Sequence, residues 1–279
     1  VIVGGGTAGC VLANRLSASG RFNVLLLEAG GEGKGFWIPI PAGFSKLLVD
    51  ERFNWRFWST PEEATQNRRI AIPRGKGLGG SSLINGMICV RGQRQDYDGW
   101  AQAGCVGWGF DDVAPLFARI EAYDGGVDAA RGRDGPMPLT EVAERPEIAQ
   151  AFIAAGRAAG LPENIDYNGA EQDGVGYYQV NQKNGRRVSA ADAYLAPARA
   201  RPNLDVVTNA FATRLVIEGG RARAVEARVG GLARRFDCEG EIILAAGGVQ
   251  SPQLLELSGV GDPAVLSRIG VPVVHAAPA

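Results

Sequence analysis

The sequence holds a single histidine, His275, in 279 residues. That scarcity argues against a zinc site, which draws several ligands from His and Cys, and against a Ser-His-Asp relay. His275 itself reads as an incidental surface residue. Cysteine is also sparse: Cys10, Cys89, Cys105 and Cys238 are scattered, with no C-x-x-C. A disulfide framework and a thiol-metal knuckle are therefore not expected, and the thiols read as free, with a reducing compartment implied. Neither sign of charge dominates, since 29 Lys and Arg stand against 30 Asp and Glu. A nucleic acid partner or an anionic membrane surface would call for a basic excess that is absent. No apolar run approaches the ~18 residues of a spanning helix. The expected setting is the cytoplasm, with peripheral membrane association as the alternative, and no transmembrane segment. Four aspartates, Asp96, Asp98, Asp111 and Asp112, come close to paired carboxylates, but turn and helix-cap roles explain them better.

What the chain has in excess is glycine, 40 residues against a normal 46% hydrophobic content. That combination implies tight turns and close backbone approaches around a real core. The glycines concentrate first in Val1-Ile2-Val3-Gly4-Gly5-Gly6-Thr7-Ala8-Gly9. Three β-branched residues run into Gly4-x-Gly6-x-x-Gly9. A helical pattern follows, with Ala8, Val11, Leu12 and Leu16 on one face. Asn23 to Leu27 then reads as a buried strand ending at Glu28, 19 residues after Gly9. Strand, glycine turn, helix, strand and acid form the dinucleotide-binding unit. Its glycines permit the turn, the approach of a pyrophosphate and close helix–strand packing. The helix N-terminus offers free N–H groups to phosphate.

Residues 31–72 are irregular, and the aromatics Phe53, Trp55, Phe57 and Trp58 are expected to pack on the core, with a wall for an apolar ligand as the alternative. A second glycine cluster, Pro73 through Met87, contains Gly75-Lys76-Gly77-Leu78-Gly79-Gly80-Ser81-Ser82. Such a loop exposes backbone N–H groups to a phosphate or a flat polar ring. It is not a Walker loop, because Lys76 precedes Gly77 rather than Ser or Thr. A helix carrying Val113, Leu116, Phe117 and Ile120 follows, then a Gly/Asp/Arg/Pro-rich crossing over 124–140. A further helix is expected over 146–160, with Ile148, Phe152, Ala155 and Ala159 on one face. Residues 187–200 look helical, and 204–208 form a strand. Three strands over 211–218, 222–229 and 232–238, with turns at Gly219-Gly220 and Gly230-Gly231, make an antiparallel meander. Residues 241–246 repeat the opening theme: a strand, then Gly247-Gly248, then a helix from about Ser251.

These motifs together resemble the glucose-methanol-choline (GMC) family of flavin oxidoreductases. Pro73 through Asp96 is similar to that family's first signature. Gly247-Gly248-Val249-Gln250-Ser251-Pro252-Gln253-Leu254-Leu255 with Ser258-Gly259-Val260-Gly261 is similar to its second. Gly185-Arg186-Arg187-Val188-Ser189 and Ala193-Tyr194-Leu195 also match, and the choline dehydrogenase-like subgroup looks nearest. The resemblance implies an α/β fold: an FAD-binding, Rossmann-like parallel sheet with a flanking β-meander, plus the start of an α+β substrate domain. The cofactor domain is expected from 1–135 and 183–279, and the first segment of the substrate domain from 136–182.

By position the resemblance places Gly4, Gly6, Thr7, Ala8 and Gly9 along the FAD pyrophosphate and Glu28 on the adenosine ribose. Gly80 and Ser81 lie at the phosphate and ribityl chain, and Asn85, Gly86, Met87 and Ile88 at the flavin ring. Ala212 meets the adenine, and Ala246 and Gly247 close over the cofactor. Where some members carry a His that attaches FAD covalently, this chain has Ile84, so non-covalent FAD is expected. The implied reaction is oxidation of a primary alcohol to an aldehyde, a small-molecule alcohol giving hydride to flavin N5, with oxygen or a carrier as electron acceptor. Alternatives are a hydroxynitrile lyase-like, non-redox role on the same scaffold, or FAD binding alone. No catalytic residue is expected within this chain, and this segment alone is expected to be inactive. The sequence begins inside a strand without Met, so it reads as a segment of a longer chain that leaves an apolar face uncovered.

Overall fold

The computed structural model describes residues 1–126 and 130–277. Residues 127–129, inside the glycine-rich crossing read over 124–140, lie outside the described residues. The chain divides into two compact units, Val1–Asn85 with Ser189–Ala279, and Gly86–Val188.

The first unit is built on a four-stranded parallel sheet. Strand β1 (Ile2–Val3) leads through the glycine turn into helix α1 (Thr7–Ser17), which returns to β2 (Val24–Leu27). Strand β3 (Leu204–Val207) pairs with β2 along its whole length. Strand β2 is apolar throughout because a parallel sheet is covered on both faces; its Leu26 and Leu27 are fully buried. Strands β4 (Ala210–Glu218), β5 (Arg221–Val229) and β6 (Leu232–Asp237) form the expected meander. Strand β7 (Ile243–Leu244) completes the main sheet in the order β3-β2-β1-β7, with Ile2 and Val3 opposite Ile243 and Leu244. Helix α2 (Gly247–Leu257) follows. Val3, Leu27, Leu215, Val225 and Leu254 form one buried cluster that joins main sheet, meander and α2. Burying each such side chain contributes roughly 1.5–3 kcal/mol.

Three local readings differ from the structure. Helix α2 starts at Gly247, before Ser251, and carries Pro252 in its interior. The stretch 187–200 is not one helix: Arg186–Arg187 is a short strand, Ala191–Leu195 a π-helix and Ala196–Ala198 a single α-turn. The π-helix is held by a buried side chain of α1, Asn14, whose Nδ2 donates to the Tyr194 carbonyl at 2.7 Å. Within 31–72, Phe57–Trp58 pairs with Ala71–Ile72, and Phe44–Leu47 is helical.

The second unit holds helices Arg94–Gln102 and Phe110–Ile120. Three of their four aspartates serve the backbone, Asp96 accepting from Gln93 N at 2.8 Å, Asp112 from Gly109 N at 3.1 Å and Asp98 from Phe110 N at 2.9 Å, whereas Asp111 pairs with the Arg94 side chain at 2.8 Å. A small sheet joins Glu121–Tyr123, Met137–Glu141 and Gln179–Val180. Residues 136–182, read from sequence as the start of a substrate domain, all fall in this unit, together with residues 86–135. Helix Glu147–Ala158 turns its Ile153 inward and leaves Ile148 79% and Phe152 73% exposed. The apolar stripe read from the sequence is thus the outer face of that helix.

Candidate functional site

The site begins at the turn after β1. Gly4 sits at φ +104°, and a Cβ there would lie 2.5 Å from the Ala245 carbonyl oxygen. A Cβ on Gly9 would lie 1.9 Å from the Gly4 oxygen. Both positions therefore need glycine for the protein's own packing. Gly6 differs. Its Cβ would meet no protein atom closer than 3.9 Å, so the fold leaves that side open. Helix α1 starts at Thr7 with no side-chain cap, and Thr7 and Ala8 are exposed. Its first-turn N–H groups and the positive end of its dipole therefore face outward.

The second glycine loop docks backbone to backbone on this turn. Gly79 N donates to the Gly5 carbonyl at 2.7 Å. Gly80, at φ +54°, would carry a Cβ only 2.6 Å from Gly6 Cα. A 3-10 turn, Gly80–Leu83, follows. Ser81 Oγ accepts from Gly75 N at 3.0 Å; Ser82 Oγ donates to the Gly79 carbonyl at 2.6 Å and accepts from Ala190 N at 2.9 Å. At the end of β2, Glu28 is buried, and its carboxylate accepts from Gly5 N, Gly30 N and Gly77 N at 2.8, 2.7 and 3.1 Å.

These parts bound a cleft of about 600 Å³, within the ~300–1,000 Å³ typical of ligand sites. Of the residues expected from sequence, Gly4, Gly6, Thr7, Ala8, Glu28 and Gly80 line it, as do Ser81, Ala212, Ala246 and Gly247. Gly9 is buried behind the turn. Asn85 is exposed where the first unit's opening segment ends, and Gly86, Met87 and Ile88 open the second unit. There Met87 is buried at φ +63°, and Ile88 bridges to Val180.

The aromatics Trp55, Phe57 and Phe211 also line the cleft, so for Trp55 and Phe57 the alternative of a ligand wall describes the placement better than the favoured core packing. Trp55 and Phe57 lie nearly parallel, 6.0 Å apart at 8°, and Lys76 Nζ stands 4.9 Å over the Trp55 ring. No strand alternation supplies this pairing, because Arg56 between the two rings sits at φ +52°, outside extended backbone. The first turn of α2 completes the wall. It too has no side-chain cap, and Gly247 and Gly248 would each carry a Cβ with no protein atom within 4 Å. Two open helix N-termini on one cleft favour an anionic ligand.

The nucleophile inventory adds nothing to this cleft. Cys10 is fully buried in α1, its Sγ donates to the Gly5 carbonyl at 3.2 Å, and burial pushes its thiol up to about 12. His275 is exposed, in a short strand beside Val260. Among the described residues no cluster of three His, Cys, Asp or Glu could hold a metal, and no helix is long and apolar enough to cross a membrane.

Glycine walls that give backbone access, open helix ends and a terminal strand acid together fit a dinucleotide. The comparisons with known proteins agree. The chain is 44% identical, over 98% of its length and 50% of the relative's, to an oxygen-dependent choline dehydrogenase of Sinorhizobium fredii (strain NBRC 101917 / NGR234). The structure of pyridoxine 4-oxidase from Mesorbium loti superposes with a TM-score of 0.95 at 37% identity, covering 99% of this chain and 54% of that one. An FAD-dependent oxidoreductase from Chaetomium thermophilum superposes with a TM-score of 0.92 at 28% identity, covering 99% and 50%. The chain spans about half the length of the relatives it matches. The GMC oxidoreductase model matches residues 1–272, and the chain belongs to the GMC oxidoreductase family.

Proposed function

We propose that this chain holds FAD non-covalently and that the whole protein oxidises a small primary alcohol to an aldehyde. The observation that carries this reading is the cleft on which α1 and α2 both open their uncapped N-termini between glycine walls. In this reading the N–H groups of Thr7 and Ala8 hold the pyrophosphate, with Gly6 letting it approach and Gly4 and Gly9 shaping the turn. Glu28 faces the adenosine ribose and Ala212 the adenine, on the side walled by Trp55 and Phe57. Gly80 and Ser81 hold the phosphate and ribityl chain, and Ala246 and Gly247 close the cleft. Asn85, Gly86, Met87 and Ile88 border the flavin ring. Ile84 is buried and aliphatic, so it offers no atom for a covalent bond to the cofactor.

When bound, FAD supplies the hydride acceptor, N5, for the carbinol carbon. The chain's own residues bind and orient the cofactor; proton removal from the alcohol is assigned to no residue of this chain. Residues 136–182 begin the substrate domain in this reading. Two relatives are named for choline and for pyridoxine, both small alcohols, which supports the substrate class. One carries "oxygen-dependent" in its name and the other "oxidase", so oxygen and an artificial carrier are the acceptors to compare.

The test is spectroscopic. Purified chain should show visible flavin absorbance and release all of it as free FAD on acid precipitation, and bleaching with a small primary alcohol under anaerobic conditions is expected of the whole protein only. Protein that stays colourless after added FAD would overturn the cofactor assignment. Colour retained with the flavin in the acid pellet would overturn the non-covalent part.

A further inference from the structure

We infer that Glu28 is a positioning residue: its carboxylate ties the three glycine loops of the cleft into ligand-ready geometry before any nucleotide arrives. This inference rests on the FAD reading for its ligand, although the tie itself is visible in the chain alone.

The three amides that Glu28 binds come from three different loops. Gly5 belongs to the opening turn, Gly30 to the segment after β2, and Gly77 to the loop 49 residues after Glu28. The carboxylate's own backbone is fixed on both sides. Glu28 N donates to the Val207 carbonyl at 2.9 Å, and its carbonyl accepts from Ala210 N at 2.8 Å. The loops then meet one another at backbone distance. A Cβ on Gly30 would lie 2.5 Å from Gly77 N, and one on Gly5 would lie 2.8 Å from Leu78 Cδ2. At Gly30 the approach of Gly77 backbone requires glycine, and Gly77, at φ +129°, favours it as well. Gly79 N to Gly5 O, at 2.7 Å, and Leu78 N to Gly31 O, at 3.0 Å, hold the same junction from outside the carboxylate.

A carboxylate accepts at about four lone-pair sites. Three are in use here, and Glu28 is only 6% exposed. At most one bond is left for a ribose hydroxyl. The greater effect of Glu28 on nucleotide binding therefore passes through Gly4–Gly9 and Gly75–Gly80, loops aimed at phosphate. Glu28→Gln keeps the shape of the side chain but puts an NH2 group where a carboxylate oxygen accepts. At least one of the three amides then faces a donor instead of an acceptor.

The deciding experiment titrates ADP and 2′,3′-dideoxy-ADP, by calorimetry, into flavin-free wild-type protein and E28Q. The substitution should weaken both nucleotides by a similar factor, roughly tenfold or more for an amide left unsatisfied. A loss confined to ADP, with dideoxy-ADP bound equally by both proteins, would make Glu28 a ribose ligand only and overturn the inference. Hydrogen exchange of flavin-free wild type gives a second answer that needs no variant and no ligand. The amides of Gly5, Gly30 and Gly77 should be protected, and rapid exchange at all three overturns the tie. Wild-type protein that binds neither ADP nor FAD would overturn the FAD reading instead, and the exchange result would still decide the tie.

Discussion

Each of the two units buries a carboxylate, and the two acids are balanced by opposite means. Glu28 in the first unit is met by three backbone amides. Glu121 in the second, 3% exposed, is met by guanidinium groups. Arg131 contacts it through Nε at 2.9 Å and Nη2 at 3.1 Å, Arg91 pairs with it through Nη2, and Gly132 N donates at 2.8 Å. Arg131 also pairs with Asp166, holds its guanidinium carbon 3.8 Å from the centre of the Tyr123 ring, and reaches Gln179 at 3.0 Å. Burial and the neighbouring Asp166 push the Tyr123 hydroxyl up to about 12. The arginine solution fills its space with side chains and closes on itself. The amide solution adds no side chain and leaves a cleft beside the acid. Burial of a charge does not mark a site; what balances the charge decides whether room for a ligand remains.

The largest expected effect is on the arginine side. Glu121→Gln leaves two buried guanidinium groups short of their counter-charge, which should lower unfolding free energy by about 3–5 kcal/mol, read from urea transitions. The affinity of the folded fraction for FAD should hardly move. A variant that keeps its stability but loses FAD would reverse the contrast between the two acids. A smaller and different pair of effects is expected at the glycines. Gly80→Ala puts a side chain at φ +54° with its Cβ 2.6 Å from Gly6 Cα, a strain of roughly 1–3 kcal/mol. It should lose both stability and FAD. Gly248→Ala meets no protein atom within 4 Å and lines the cleft. It should keep its thermal midpoint and lose FAD affinity alone. Equal behaviour of the two variants would mean that the cleft's glycines serve packing only.

How much of this is legible in the sequence follows the range of the forces. The main sheet is readable because apolar runs at 1–3, 24–27 and 242–244 and the apolar-rich 204–207 need no distant partner to declare themselves. The glycine turn is readable for the same reason. The π-helix at 191–195 is not, since it depends on Asn14 reaching the Tyr194 carbonyl across 180 positions. The stripe of Ile148 and Phe152 is legible as a stripe, but its exposure is not; periodicity gives a face and not what covers it. Trp55 and Phe57 read as core because composition cannot separate the wall of a cleft from the wall of a core. Glu28 draws one contact from its place after β2. That its acid also meets Gly77 depends on a loop closure that no local pattern encodes.

A third acid supplies the smallest effect and a control on the other two. Glu32 pairs with Arg199 through two bonds, at 2.7 and 2.8 Å, with both side chains about two-fifths exposed. Hydrogen bonding to Arg199 holds the Glu32 carboxyl below its ordinary value. A depressed folded-state value means that the stabilisation is present above the unfolded carboxylate range and is lost as pH falls through the folded value. Solvent screening keeps an exposed pair to less than about 1 kcal/mol. Arg199→Met should therefore cost little at neutral pH, flatten only the acid limb of the stability curve, and lose its effect in high salt. Glu121→Gln should keep its full cost in the same salt, because its partners are shielded from solvent. If added salt weakened the Glu121 effect as much as the Glu32 effect, the guanidinium cluster would be open to water, and the opposition between a closed acid and a ligand-facing one would fail.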